Sequence, residues 1–145
     1  MAELFELDPR LAGDTHHLAR WPLCELLLMD DARYPWLILV PRIEGAHDLL
    51  DLDQAERTQL WQEIDAVSRA LRDAFAPDKL NIGALGNVVS QLHVHVIARY
   101  RHDDAWPGPA WGAHPRLPRD AGAREAVLAR LLPALPRFAF EESPQ

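Results

Sequence analysis

The chain has little cysteine: Cys24 is the single one in 145 residues. An intramolecular disulfide and a cysteine-built zinc site are therefore excluded. Cys24 is expected to pack as a small apolar residue. Basic charge is also in deficit, with a formal net charge of -7. Long nucleic acid normally needs a basic face, so no polynucleotide partner is expected. A small nucleotide stays compatible, because backbone N–H groups and one or two histidines can hold a phosphate locally. No apolar run approaches the roughly 18 residues needed to span a bilayer. Behind Met1 stand Glu3 and Glu6 rather than a basic and then an apolar stretch, so no signal peptide is expected. Internal repeats and linker-like stretches are missing as well. What is present, 48% apolar residues, is ordinary for a globular chain with one core. A cytoplasmic protein without membrane association is the expectation.

Residues 1–20 are mixed and show no clear period. Leu23 to Met29 and Trp36 to Val40 are short apolar runs separated by Asp30-Asp31-Ala32-Arg33, a turn composition. They predict a β-hairpin closed by Pro41. Asp53 followed by Glu56 resembles a capping box, and Leu60, Ile64, Val67 and Leu71 recur at helical spacing. A long helix is predicted from about Asp53 to Phe75, stopped by Pro77. Leu80 to Leu85 reads as a strand, and Gly86-Asn87 as a turn. Ala105 to Pro118 holds Trp106, Trp111 and four prolines, the composition of an irregular packed segment. Asp120 to Leu132 carries helical spacing in Val127, Leu128, Leu131 and Leu132, with Pro133 as its stop. The last few residues are expected to be disordered. The whole reads as α+β, an antiparallel sheet of about five strands with one long helix and a C-terminal helix.

Between the turn and Arg99 lies Gln91-Leu92-His93-Val94-His95-Val96-Ile97. Polar and apolar residues alternate here at period two, as in a half-buried strand. Leu92, Val94 and Val96 would face the core. Gln91, His93 and His95 would form a row on the other face, spaced about 6.6 Å along the strand. Imidazole titrates near neutral pH and serves as nucleophile, proton donor or metal ligand. Arg99 falls on the same face if the alternation continues, where it would attract phosphate from the rim.

This segment resembles the signature of the histidine triad (HIT) family, His-φ-His-φ-His-φ-φ with φ apolar. His93 and His95 match the second and third histidines, and Gln91 stands where the first would be. Trp36-Leu37-Ile38-Leu39-Val40-Pro41-Arg42 resembles the family strand ending in Val-x-Pro-Lys/Arg. Leu49 to Asp53 is similar to the lead into its long helix. Asn81-Ile82-Gly83 resembles its Asn-x-Gly element, and Trp106-Pro107-Gly108 a tryptophan-proline segment of one branch. The match covers roughly residues 20–110. It implies a HIT-like domain over residues 1–110, with residues 111–145 as a C-terminal extension with a helix and tail.

The resemblance implies a homodimer that binds a purine nucleotide or nucleoside phosphoramidate and needs no cofactor. His93 would be the nucleophile on the α-phosphorus, forming a nucleotidyl-histidine intermediate. His95 would donate to a non-bridging phosphate oxygen. Asn81 would hold ribose or phosphate oxygens. The Asn87-Val88-Val89 turn would offer backbone N–H groups, with Val88 where relatives often carry a serine. Trp106 would pack a dimer or reach the neighbouring site. Gln91 could orient His93 through hydrogen bonds but cannot titrate.

Other readings stand beside this one. His93 and His95 could be a solvated strand face. They could chelate zinc with a third ligand from His47, His102, Asp103 or His114. The chain could be a metal-dependent hydrolase, or a binding or interaction module without turnover. Ser90 would face away from His93 and is no nucleophile. His16-His17 reads as a surface pair, His47 as a structural or exposed loop residue, and Trp36 and Trp61 as core.

Overall fold

The structure, a computed structural model, describes residues 5–138. The tail expected to be disordered lies mostly outside them. The element order is α1 (Pro9–Asp14), β1 (Thr15–Arg20), β2 (Cys24–Met29), β3 (Trp36–Pro41), α2 (Gln54–Phe75), β4 (Lys79–Gly83), β5 (Val94–Arg99) and α3 (Ala121–Leu131). The strands form one sheet in the order β1-β2-β3-β5-β4, and every pairing is antiparallel. The fold is therefore α+β, with the expected hairpin, long helix and C-terminal helix. Among the described residues, no helix is long and apolar enough to cross a membrane.

Both faces of the sheet are covered, which explains the unbroken apolar run of β3, buried along its whole length. On one face Leu26, Leu28, Leu37, Leu39, Val94 and Val96 pack against Leu60, Ile64, Val67 and Leu71 of α2. On the other, Leu27, Trp36, Ile38, Val40 and Ile97 gather with Leu11, Tyr34 and Ala110. Phe5, Leu7 and Trp111 border that second cluster. Residues beyond 110 add to both clusters: Leu131 and Val127 of α3 join the α2 side.

Helix α2 begins as its residues dictate. Asp53 accepts from the Glu56 N–H and Glu56 accepts from the Asp53 N–H, both at 2.8 Å. It ends at Ala76, which takes a left-handed conformation with φ 45° just before Pro77. Cys24 is fully buried in the first cluster. Beside it the buried Glu63 reaches from α2 to accept the N–H groups of Leu23 and Cys24 at 2.8 and 3.0 Å. The burial, then Glu63, pushes the Cys24 thiol well up in pKa, so it stays a protonated apolar filler.

Two expectations need correction, and the N-terminal stretch left without assignment gains its elements. The first twenty residues contain a short helix and the edge strand β1, paired with β2. Its sequence, Thr-His-His-Leu-Ala-Arg, lacks a period because a bulge between His17 and Ala19 breaks the register. Strand β5 starts only at Val94, because Leu92 spends its N–H on the Ala46 carbonyl at 3.0 Å, away from β4. Trp61 is not core: it lies 65% exposed on α2. Trp36 is buried, as expected.

Candidate functional site

Strand alternation sends Val94 and Val96 to the α2 side and His95 and Ile97 to the other. His93, one residue before the strand, is turned beside His95, and their ring centroids lie 4.8 Å apart at 64°. Both are nearly buried, at 6% and 7% exposure. His93 Nδ1 lies 2.7 Å from the Gln91 main-chain carbonyl. A carbonyl only accepts, so Nδ1 carries a proton, and in the neutral ring Nε2 then holds the lone pair. His95 Nδ1 lies 3.0 Å from the indole Nε1 of Trp36. Burial, and then the charge that His93 can take, lowers the His95 pKa to about 3, so His95 is neutral at pH 7.

The two rings border a cavity of about 330 Å³. One wall is the 85–89 turn, with Asn87, Val88 and Val89. It bends at Gly86, whose φ of 72° suits glycine. The opposite wall comes from beyond the histidine motif, in Trp111, His114 and Arg116. Trp111 meets His95 edge-on at 5.5 Å. It can do so because Gly83 has no side chain: a Cβ there would stand 3.3 Å from the indole. Backbone contacts hold this wall in place. Ala32 N–H donates to the Leu117 carbonyl at 2.7 Å, and the Arg119 guanidinium donates to the carbonyls of Met29 and Tyr34 at 2.8 and 2.7 Å. A second cavity of about 280 Å³, between His47–Leu50 and Ala84–Gly86, also borders His93. His93 thus stands where two cavities meet. A larger concavity of about 1190 Å³ lies away from the histidines, between α2 and β4.

The other site residues are placed as follows. The Gln91 side chain does not line up with the histidines. Its Oε1 accepts the Asp8 N–H and its Nε2 donates to the Glu6 carbonyl, both at 2.8 Å. The residue thus holds His93 through its main chain and the N-terminal segment through its amide. Asn81 faces the same side of the sheet as His95, but its Oδ1 accepts from Arg99 at 2.8 Å. Arg99 is not at the rim. It is buried, at 1% exposure, and paired with Asp103 at 2.8 Å. Burial pushes the Asp103 carboxyl up, but Arg99 and the backbone N–H groups of Tyr100 and Trp106 outweigh it and hold it at about 2. Trp106 lies over the Arg99 guanidinium at 5.7 Å and does not line the cavity between the histidines and Trp111.

The conceivable third metal ligands are engaged elsewhere. His114 bonds the Tyr34 hydroxyl at 2.9 Å, His102 stacks on Tyr100, and His47 Nδ1 meets the Ser90 carbonyl at 3.2 Å. Among the described residues, no three His, Cys, Asp or Glu side chains gather into a metal-holding group. Sequence reasoning missed Trp36 and Trp111 at the site, and brought in His114 only as a conceivable zinc ligand. Trp36 had a signal in retrospect, since it sits on a strand that pairs beside β5.

Comparison with known proteins agrees with the fold. The HIT domain family model matches residues 11–102, more than half of the chain. The chain is similar to a histidine triad protein from Bradyrhizobium japonicum, with 46% identity, coverage of 90% of this chain and 98% of that one, and a TM-score of 0.87. It is similar to one from Marinobacter aquaeolei at 45% identity, covering 90% and 96%, TM-score 0.87. A third, from Sinorhizobium meliloti, has 41% identity, covers 91% and 98%, and has a TM-score of 0.87. The search of curated proteins finds no match. Matches of this extent and identity establish that the chain belongs to the HIT family, whose members are in general nucleotide hydrolases and transferases.

Proposed function

We propose that this HIT protein hydrolyses or transfers nucleoside monophosphates through a covalent intermediate on His93. The observation that carries the reading is the His93 Nδ1–H bond to the Gln91 carbonyl. It leaves a lone pair on Nε2 of a ring that borders two cavities. A neutral nucleophile suits a negatively charged phosphorus centre. Nε2 attacks the α-phosphorus, a nitrogen–phosphorus bond forms, and the bond to the leaving group breaks. An amine leaving group, as in a nucleoside phosphoramidate, takes up a proton from solvent water as it departs, and the proton given up by the attacking water in the second step returns to solvent. Water, or another acceptor, then attacks the same phosphorus, gives up its proton and expels His93 with the lone pair restored. Of the two cavities, one takes the purine nucleoside and the other the leaving group.

His95, neutral at pH 7, donates to a non-bridging oxygen as charge develops there. The Asn87–Val89 turn supplies backbone N–H groups to the phosphate, and Val88 adds no hydroxyl of its own. Asn81, with its oxygen engaged by Arg99, presents its amide N–H to ribose or phosphate oxygens. Gln91 acts through its main chain. The role in orienting His93 thereby persists without a titratable side chain at this position.

We also assign a homodimer. Strand β4 is a sheet edge, and next to it Trp61, Ile82 and Leu49 are exposed at 65%, 44% and 45% around the large groove. A second copy related by a two-fold axis covers the edge and these side chains together. The catalytic reading is tested by AMP release from an adenosine phosphoramidate, wild type against His93→Ala. Loss of release in the variant is expected. Equal release by both proteins contradicts the reading. Binding of AMP without any release by wild type favours a binding module, and release abolished by chelator favours a metal-dependent hydrolase.

A further inference from the structure

Strands β3 and β5 are neighbours in the sheet, with Trp36 opposite Ile97 and Ile38 opposite His95. Trp36 and His95 are therefore diagonal neighbours on one face, a separation that long aromatic side chains bridge. The bridge is made: the indole Nε1 lies 3.0 Å from His95 Nδ1, with both residues buried. The rest of the ring is packed as well, with His93 at 4.8 Å and Trp111 edge-on at 5.5 Å between centroids.

An indole nitrogen only donates. The His95 Nδ1 that faces it must therefore present a lone pair. A neutral imidazole with its lone pair on Nδ1 has its proton on Nε2. We infer that Trp36 is a positioning residue that fixes His95 in the Nε2–H tautomer, and so makes it a hydrogen-bond donor to the phosphate. The inference rests on the catalytic reading above for its consequence, though not for the tautomer itself.

The neighbouring anchors have opposite polarity. A carbonyl acceptor on His93 Nδ1 leaves Nε2 as a lone pair, which a nucleophile needs. A donor on His95 Nδ1 leaves Nε2 as a proton, which an oxyanion needs. Without the Trp36 N–H, the proton of His95 is free to sit on Nδ1, and its Nε2 then turns a lone pair toward an anionic oxygen. A protonated His95 would set its own Nδ1–H against the indole N–H, so the same contact also favours the neutral ring.

The test reads tautomers and turnover separately. Long-range ¹H–¹⁵N spectra of the histidine rings are recorded for wild type and for Trp36→Phe, which keeps an aromatic ring and loses the donor. Turnover of an adenosine phosphoramidate is measured on both. Wild type is expected to show His95 protonated on Nε2 and His93 on Nδ1. The variant is expected to show His95 as a mixture, with kcat lower by about tenfold and KM within about twofold, the effect of one buried hydrogen bond lost at the transition state. Should Trp36→Phe fail to fold, benzothienylalanine at position 36 keeps the indole shape without the N–H and takes its place. A wild-type His95 protonated on Nδ1, or a variant with unchanged tautomer and kcat, overturns the inference. If wild type releases no AMP, the catalytic reading falls, while the spectra still decide the tautomer.

Discussion

His95 sits, nearly buried, in an environment that disfavours its charged form. Burial and the adjoining His93 lower its pKa from 6.5 to about 3. As pH falls, the unfolded chain takes up a proton on this ring near 6.5, and the folded chain does so only near 3. The stability from keeping the ring neutral is complete above 6.5 and is lost steadily below it. One such group costs about 2 kcal/mol of stability by about pH 5. Urea unfolding of wild type and His95→Gln at about pH 7.5 and about pH 5 measures this. The variant is expected to lose about 2 kcal/mol less than wild type on acidification, and an equal loss contradicts the assignment. The two histidines were legible from their alternation with valine. What each ring nitrogen bonds was not, because the partners are a main-chain carbonyl two residues back and an indole 59 residues away. Gln91 shows the same limit. Its place in the motif was plain, but its side chain answers to residues 6 and 8, which have no pattern of their own.

At the scale of the element, α2 does more than cover the sheet. Its Glu63 accepts two main-chain N–H groups from the segment entering β2, and Gln59 Nε2 donates to it at 2.8 Å. Glu63→Ala leaves both N–H groups buried without partners and is expected to cost about 2–4 kcal/mol. Chemical denaturation measures it, and a cost below about 0.5 kcal/mol, ordinary for a surface change, contradicts the account. The helix end offers the opposite sign. Ala76 holds φ 45° at the C-cap, a region that costs an L-residue about 1–2 kcal/mol and glycine almost nothing. Ala76→Gly is expected to stabilise by about 0.5–1 kcal/mol after the added freedom of the unfolded chain is subtracted. A lower melting temperature for this variant sinks the argument. Helix α2 was legible from its capping box, its period and Pro77. Strand β1 was not, since its bulge and half-exposed face leave no alternation to read. Trp61 was misplaced because a large apolar residue reads as core by type, whereas on α2 it falls outside the buried Leu60, Ile64, Val67 and Leu71 row.

For the whole molecule, the exposed Trp61 and Ile82 beside the open edge of β4 are the surface that the proposed second copy would cover. Trp61→Glu is expected to convert a dimer to a monomer in sedimentation velocity, since a charge on each copy would be buried twice at a two-fold contact. A wild type that sediments as a monomer contradicts the assigned dimer. The residues beyond the histidine motif also belong to this scale. Trp111 and His114 reach the site because residues 115–119 are tied to the β2–β3 turn, a long-range contact that no local pattern announces. The central claim, that His93 carries the nucleotide covalently, is met most directly by intact-protein mass measurement after brief mixing with an adenosine phosphoramidate. The account predicts a nucleotidyl adduct on wild type that is missing from His93→Ala. An adduct of the same abundance on the variant, or AMP release by wild type with no adduct at any mixing time in base-quenched samples, which preserve a nitrogen–phosphorus bond, contradicts it.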